Sequence, residues 1–595
     1  MRKPSFYSFI LLLFYSSLTF AQKEQGEIWL DINGVRDLTA DSIAFANQAR
    51  PVPGSSRHGN NPVLFLVGNS TMRTGTMGNG SNGQWGWGYF EHEFFNQDKV
   101  TVENHALGGT SPRTFYKSPD LWRRTLSGVK PGDYVFLELG HNDNGPIDSI
   151  RARSSYRPHG KLEVAEDSII IYNKVTQRQD TVYTFGGYTR RFINEVRAKG
   201  GIPVLFTLTP RNAYEQDGKT IQRKLSDFTP AIIAIGEEMN VPVIDLNDIS
   251  AKKLETYGPW KTDYHFFLDK IHSSAFGAKM NAASAAEGLY NLNENICQNK
   301  LERLGLAALK SYLIPEKVFP DYTEKLLAWE PNNYDKKGNV IPKTKTAEQK
   351  KSAVRIFLCG DSTGKNEDKK PDGMWGWGSQ GYTIFDESKC TFINCAKAGR
   401  STRTYLNEDR WNEVYQTLRP GDYVLIQFGH NDIGGIDKDK ERGVIPCAKD
   451  SCKVFKSKAS GKYEVVYSFG WYIHKMIQDA KEKGAIPVIL SFTPRNEWPD
   501  GKIERRNDNY IPQWDEQVAK ENGCEFVDIH NISADALDKK FARKDGNAEK
   551  AKEAAAPYFN HDHTHTSLLG ARNNAQSLAK GLKAINSPLV QYLKK

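Results

Sequence analysis

Two short stretches place a serine where chemistry is easily built. Arg355–Thr363 reads RIFLCGDST and Val63–Thr71 reads VLFLVGNST. In each, an apolar run ends in glycine and a serine follows two residues later: Ser362 in one, Ser70 in the other. The run reads as a buried strand that delivers the serine to a sharp turn, with Gly360 supplying backbone torsions that a larger residue resists. In open α/β sheets, ligands bind at the carboxyl ends of the strands. Ser70 and Ser362 are therefore candidate nucleophiles. The plainer role for the same residues is to cap the next helix.

Three further blocks recur with matching chemistry. NHALGGTSPRTF (Asn104–Phe115) aligns with NCAKAGRSTRTY (Asn394–Tyr405), pairing Gly109 with Gly399 and Arg113 with Arg403. GHND occurs twice and carries Asn142 and Asn431. DKIHSSAFGA (Asp269–Ala278) aligns with DHTHTSLLGA (Asp562–Ala571). The last block is rich in metal-ligand types: His561, Asp562, His563 and His565. The first copy has Leu268 and Lys270 in place of His561 and His563, so only an aspartate and one histidine are common to both. A shared metal site needs its ligands in both copies, and neither metal nor cofactor is expected. The common pairs are Asp269 with His272 and Asp562 with His565. In an Asp-x-x-His pair the carboxylate can accept the Nδ1–H of the imidazole and leave Nε2 as a base. A capping aspartate beside a solvated histidine is the alternative. Acyl transfer also needs donors for a developing oxyanion. The N–H of Gly109 or Gly399, the serine N–H and the side chain of Asn142 or Asn431 are the candidates.

The elements that must position these blocks come twice. WGWG (Trp85–Gly88, Trp375–Gly378), PGDYV (Pro131–Val135, Pro420–Val424) and TPRN (Thr209–Asn212, Thr493–Asn496) repeat in the same order, so the halves are colinear copies. Candidate strands in the first are Val63–Val67, Val100–Glu103, Tyr134–Leu139, Val204–Leu208 and Val243–Leu246. Those in the second are Arg355–Cys359, Thr391–Asn394, Tyr423–Phe428, Val488–Phe492 and Glu525–Ile529. Their near-continuous apolar character predicts strands buried on both faces. Helical stretches such as Tyr188–Lys199 and Tyr472–Lys483 stop at Gly200 and Gly484. Alternating β and α predicts parallel sheets with helices on both sides. Arg153–Val182, with a hairpin pattern inside it, and Glu441–Val466 are insertions at the sheet edge where substrate grooves form.

At 595 residues the chain is too long for one domain. Residues 1–21 have a basic start, an apolar run and a small-residue end, the pattern of an export signal. The boundaries expected are 1–21 leader, 22–61 extension, 62–300 first domain, 301–352 linker with a helix at Leu301–Leu313, and 353–595 second domain. No later stretch is apolar enough to span a bilayer. The formal net charge of +9 falls to +7 without Arg2 and Lys3. That balance fits an acidic polymer or simply a solvated basic surface. Nucleic acid is disfavoured by the absence of clustered basic runs. The pattern does not set an oligomeric state. Six of seven cysteines lie in the second half, so disulfides do not define the fold; Cys447 and Cys452 flank a short loop and can pair.

The four blocks together resemble the SGNH/GDSL hydrolases, whose name lists their serine, glycine, asparagine and histidine. The finer resemblance is to rhamnogalacturonan acetylesterases, carried by GDST (Gly360–Thr363), AGRS (Ala398–Ser401) and DHTHTS (Asp562–Ser567). It implies two flavodoxin-like three-layer α/β/α domains. It also implies a Ser-His-Asp triad in each: Ser70, His272 and Asp269, then Ser362, His565 and Asp562. Gly109, Asn142, Gly399 and Asn431 become oxyanion donors. The activity implied is that of an exported esterase removing acetyl groups from pectic polysaccharide. Xylan acetate, a pectin methyl ester, or carbohydrate binding by a silent domain are the alternatives. Trp85, Trp87, Trp375 and Trp377 either stack on sugar rings or form a loop core. Arg113 and Arg403 either meet uronate carboxylates or hold the oxyanion loop. Arg211 and Arg495 are expected to bond strand-end carbonyls. The first copy departs by Asn69, where the second has Asp361. Since a carboxylate holds backbone N–H groups more strongly than an amide, the turn alone predicts a slower first domain and a gain from Asn69→Asp.

Overall fold

The computed structural model describes residues 50–322 and 353–595, apart from 74–77, 79, 81, 150–151, 175–176, 224–227, 366, 369, 439 and 506–510, together with 333–334 and 340–341. The expected leader at 1–21 and the first part of the extension lie outside the described residues. The chain forms two units that divide at Pro320 and Asp321. In the first, the strands are β1 (Val63–Gly68), β2 (Thr101–Asn104), β3 (Tyr134–Glu138), β4 (Ser168–Asn173), β5 (Arg178–Tyr183), β6 (Ile202–Phe206) and β7 (Val243–Ile244). The sheet runs β2-β1-β3-β6-β7 with every neighbouring pair parallel. β4 and β5 form a separate antiparallel hairpin inside the predicted insertion. The second unit has β8 (Val354–Gly360), β9 (Cys390–Asn394), β10 (Tyr423–Gln427), β11 (Cys452–Lys456), β12 (Tyr463–Tyr467), β13 (Ile486–Leu490) and β14 (Glu525–Val527). Its parallel sheet runs β9-β8-β10-β13-β14, with β11 and β12 paired on their own. With the hairpins set aside, both orders are the 2-1-3-4-5 of flavodoxin-like folds.

Burial on both faces explains the apolar runs. Phe65, Val67, Val135 and Leu137 pack on one face with Tyr188, Phe192 and Ile193 of the helix Phe185–Ala198 and with Ile232 and Ile235 of Phe228–Met239. Leu64, Leu66, Phe136 and Val204 face the other way, onto Ala278, Ala282 and Leu289 of the helix Ala275–Tyr290. The last strand of each sheet is shorter than the apolar pattern predicts. Asp245 and Asp528 accept a backbone N–H from Asp248 and Asn531, capping helices that begin at Leu246 and Ile529. The apolar residues expected to extend those strands are the first residues of helices.

The domain boundaries also move. The helix Lys300–Ser311, expected in a linker, belongs to the first core through Leu306 and Leu309, and Gly305 O accepts the Tyr134 hydroxyl at 2.7 Å. Phe95 bridges Leu313 just as Phe385 bridges Leu593 near the chain's end, so this segment completes the first copy. Residues of the N-terminal extension also complete it. Arg57 donates to both oxygens of the buried Asp133, at 2.7 and 2.6 Å. In the second copy Arg355, on the strand itself, does the same for Asp422 at 3.1 and 2.5 Å. Cys447 and Cys452 are free thiols, so the expected pairing is not made.

Candidate active site

β1 and β8 each deliver their serine to a tight turn, but for a reason other than backbone torsion. A Cβ on Gly360 would stand 2.7 Å from Gln427 O, and one on Gly68 would stand 2.7 Å from Met72 Sδ. Close approach, not a left-handed conformation, demands glycine here. Beside Ser70, Asn69 Oδ1 accepts the Thr71 backbone N–H at 3.0 Å and the Thr71 hydroxyl at 2.8 Å. Beside Ser362, Asp361 Oδ1 accepts the equivalent pair from Thr363 at 2.8 and 2.7 Å.

The Asp-x-x-His loops meet these turns. His272 Nε2 lies 2.8 Å from Ser70 Oγ, and its Nδ1 lies 2.6 Å from Asp269 Oδ2. His565 repeats both distances, 2.8 Å to Ser362 Oγ and 2.6 Å to Asp562 Oδ2. Each loop is pinned from both sides. Trp85 N donates to Ser273 O, and Asn212 N donates to Lys270 O, both at 2.8 Å. In the second copy Trp375 N donates to Thr566 O at 2.8 Å and Asn496 N to His563 O at 2.7 Å. The WGWG and TPRN repeats thus hold the histidine loop. Partial burial works to raise the Asp269 carboxyl, but hydrogen bonds from the ring and backbone N–H of His272 outweigh it and hold it down to about 2. The Asp562 carboxyl is lowered by the balance of the same causes. Both carboxylates stay charged wherever an imidazole can serve as base.

The oxyanion candidates converge on the same turn. Gly109 and Gly399 have φ of 77° and 73°, a left-handed conformation that glycine adopts without strain. Leu107 N donates to Gly68 O at 3.0 Å and Lys397 N to Gly360 O at 2.8 Å, stitching each glycine loop to the strand that leads to its serine. Asn142 Nδ2 donates to Thr110 O at 3.1 Å and Asn431 Nδ2 to Arg400 O at 3.2 Å, and each retains a second N–H. Arg442 Nη1 donates to Asn431 Oδ1 at 2.8 Å, fixing which way that amide points. Sequence reasoning did not single out Arg442; its place shortly after GHND was the available signal.

The sequence pattern of the GDSL-like lipase/acylhydrolase family matches residues 66–280 and 358–572. The chain belongs to that family. It is a carboxylic ester hydrolase by that membership. Its relatives include a rhamnogalacturonan acetylesterase of Emericella nidulans, 30% identical over 39% of this chain and 85% of that protein. The rhamnogalacturonan acetylesterase RhgT of Bacillus subtilis is 28% identical over 41% of this chain and 95% of that protein. Among solved structures, protein YxiM of Bacillus subtilis is 25% identical, with a TM-score of 0.30 over 39% of this chain and 56% of that one. The acetylxylan esterase Axe2 of Geobacillus stearothermophilus is 17% identical, with a TM-score of 0.28 over 39% of this chain and 96% of that one.

Several residues whose side-chain chemistry offered a substrate role sit elsewhere. Trp87, Trp375 and Trp377 are at most 1% exposed and Trp85 is 7% exposed, so none offers an indole face to a sugar. Arg113 and Arg403 are buried as well. Arg113 Nη1 donates to Ile147 O at 2.7 Å and Ser154 O at 3.1 Å, and Arg403 Nη1 donates to Ile436 O at 2.8 Å and Gly443 O at 3.0 Å. Both arginines hold the loop after GHND, and at 1% exposure neither can meet a uronate carboxylate. Arg211 and Arg495, expected to bond strand-end carbonyls, are partly buried and their side chains have no hydrogen-bond partner among the described residues. His563 Nδ1 pairs with Glu497 at 2.7 Å. Among the described residues no group of three or more histidine, cysteine or acidic side chains is arranged to hold a metal.

Beneath the Ser70 turn of this family member lies a buried acid that sequence reasoning missed. Glu138 is fully buried and accepts from Trp87 Nε1 at 3.0 Å and Thr209 N at 3.2 Å, with His141 Nε2 at 3.7 Å. Burial pushes its carboxyl up to about 7 against the hydrogen bonds from Trp87, Thr209 and Thr71. Burial does the same to Asp432, also to about 7. An acid whose folded value is raised contributes stability that is complete below its ordinary value and is lost as pH rises through the folded one. The melting temperature of Glu138→Gln, measured relative to wild type, is therefore expected to be more favourable at pH 8 than at pH 5. A difference that does not change with pH contradicts this.

Proposed function

We propose that this chain is an exported carbohydrate esterase with two acyl-transfer sites, each of which removes acetyl groups from a pectic, rhamnogalacturonan-like polysaccharide. The observation that carries the reading is the Asp–His–Ser hydrogen-bond chain, present in both copies at the same distances. The substrate reading is supported by the relatives named above.

The mechanism follows from the geometry. Ser70 or Ser362 Oγ attacks the acetyl carbonyl carbon while His272 or His565 Nε2 takes the hydroxyl proton. Asp269 or Asp562 accepts the Nδ1–H and stabilises the imidazolium. The carbonyl oxygen becomes an oxyanion held by the serine N–H, the Gly109 or Gly399 N–H and the Asn142 or Asn431 amide. Collapse breaks the bond to the sugar oxygen, which leaves with the proton from Nε2. Water then attacks the acetyl-serine, giving its proton to Nε2, and acetate departs as Oγ regains a proton.

Arg211 and Arg495 are the cations we assign to a substrate carboxylate, in place of Arg113 and Arg403. Each lies in a TPRN segment whose asparagine, Asn212 or Asn496, donates its backbone N–H to the histidine loop. The test is acetate release from an acetylated pectic polysaccharide and from acetylated xylan. Release from the pectic polymer is expected from wild type and not from Ser70→Ala/Ser362→Ala. In Arg211→Gln/Arg495→Gln, KM for the acidic polymer is expected to rise about tenfold more than KM for 4-nitrophenyl acetate, the loss of roughly one charge-assisted contact. Faster release from xylan overturns the pectic assignment, and equal KM changes overturn that of the arginines.

A further inference from the structure

The layer under each serine has the same shape and the same total of one carboxyl, but the carboxyl is in different places. β1 and β3 pair Gly68 with Glu138, and β8 and β10 pair Gly360 with Gln427. The first copy therefore sets Asn69 on the turn over Glu138 on the neighbouring strand, whereas the second sets Asp361 over Gln427. All four side chains are buried, at no more than 1% exposure. Trp87 Nε1 donates to Glu138 Oε2 at 3.0 Å, and Trp377 Nε1 donates to Gln427 Oε1 at 2.7 Å.

We propose that one buried carboxyl per domain holds the nucleophile turn through the threonine next to the serine, and that the turn and strand positions form an exchangeable acid–amide pair. The positioning residue is Glu138 in the first domain and Asp361 in the second. The inference rests on the function proposed above.

The donor count is what enforces a single acid. Thr71 has one hydroxyl proton and three acceptors within reach: Asn69 Oδ1 at 2.8 Å and the two oxygens of Glu138 at 3.0 and 3.2 Å. A second carboxylate at position 69 adds a buried like charge and no donor, a combination that burial penalises. Two amides instead add a second buried NH₂ to a layer in which Asn69 Nδ2 already has no hydrogen-bond partner among the described residues. In the second copy Thr363 Oγ1 gives its proton to Asp361 Oδ1 at 2.7 Å, while Asp361 Oδ2 and Gln427 Nε2, a buried acceptor and a buried donor in one layer, have no hydrogen-bond partner among the described residues. Asn and Asp are nearly isosteric, as are Gln and Glu, so the exchange conserves volume. Asn69→Asp alone is thus expected to harm the first site, the opposite sign to that expected from the turn by itself.

The experiment uses the full-length chain with one site silenced. In a Ser362→Ala background, Asn69→Asp and Glu138→Gln are each expected to lower kcat on 4-nitrophenyl acetate about tenfold with little change in KM, since small misplacements of a reacting group cost rate more than binding. Asn69→Asp/Glu138→Gln is expected to recover kcat to within about threefold of its parent, the coupling expected of side chains in contact. In a Ser70→Ala background, Asp361→Asn, Gln427→Glu and their combination are expected to repeat the pattern. Single variants at parental rates, or combined variants no faster than the product of the singles, overturn the inference. If a single variant does not fold, its combined variant and the mirrored set decide, and a combined variant equally unfolded counts against pairing. Hydrolysis in the Ser362→Ala protein that Ser70→Ala does not reduce sinks the functional reading itself, whereas serine-dependent hydrolysis with additive variants sinks only the exchange.

Discussion

Ser362→Ala in the full-length chain is expected to remove the second site's hydrolysis, by a factor on the order of 10³ or more in kcat, while Ser70-dependent turnover remains. The neighbouring hydroxyl cannot substitute. Thr363 Oγ1 is buried and committed to Asp361 Oδ1 at 2.7 Å, whereas Ser362 Oγ is the group placed 2.8 Å from His565 Nε2. Removing Oγ leaves the proposed oxyanion donors in place, so residual catalysis over water is expected to persist while no acyl-enzyme forms. A serine-directed phosphonate should label wild type at two serines, Ser362→Ala at Ser70 only, and the doubly substituted protein at neither. The measurements are kcat on 4-nitrophenyl acetate and the mass of labelled protein. Turnover in the doubly substituted protein within tenfold of wild type would falsify the nucleophile assignment.

The parts of the site legible in the sequence were those whose chemistry is tied to residue type. A serine after an apolar run and a glycine, an Asp-x-x-His before a helix, and two copies of each are local patterns. The structure brings Ser70 to His272 and Ser362 to His565 across about two hundred residues of chain. The parallel sheets were legible because strands buried on both faces must be apolar throughout. What was not legible depends on which body a side chain faces. Trp87 and Trp377 carry an obvious sugar-stacking surface, yet their ring N–H groups turn inward to Glu138 and Gln427. The helix Lys300–Ser311 was readable as a helix, but its amphipathic pattern does not name the sheet that covers it. Arg57 and Arg355 perform one task from different segments, a substitution that aligned strands alone conceal. Glu138 lay inside a readable strand, and its exchange with Gln427 acquires meaning only when the strand register sets it under Asn69.

Asp562→Asn is expected to be nearly as damaging as loss of the serine, although it removes no reacting atom. Asp562 Oδ1 accepts backbone N–H groups from Thr564 and His565, each at 2.7 Å, while Oδ2 accepts from His565 Nδ1 at 2.6 Å. An asparagine keeps one acceptor oxygen and gains an NH₂ group. Two fixed backbone donors point at the Oδ1 side, so the amide oxygen must take that side and the NH₂ must face Nδ1. Nδ1 then has to accept, which moves the ring proton to Nε2. That nitrogen stands 2.8 Å from Ser362 Oγ, and as an N–H it cannot take the serine proton. The fold should survive, because the backbone bonds of the loop are kept and the side chain is 39% exposed. The expected loss is on the order of 10³ to 10⁴ in kcat with KM little changed, as when a triad imidazole is held in the wrong tautomer. Asp269→Asn should act the same way on the first site, where Ile271 N and His272 N donate to Oδ1 at 2.7 Å. Each variant is to be measured with the other site's serine replaced by alanine. A kcat within tenfold of its parent would show that the imidazole finds its working tautomer without the carboxylate, and that the aspartate serves only to close the loop.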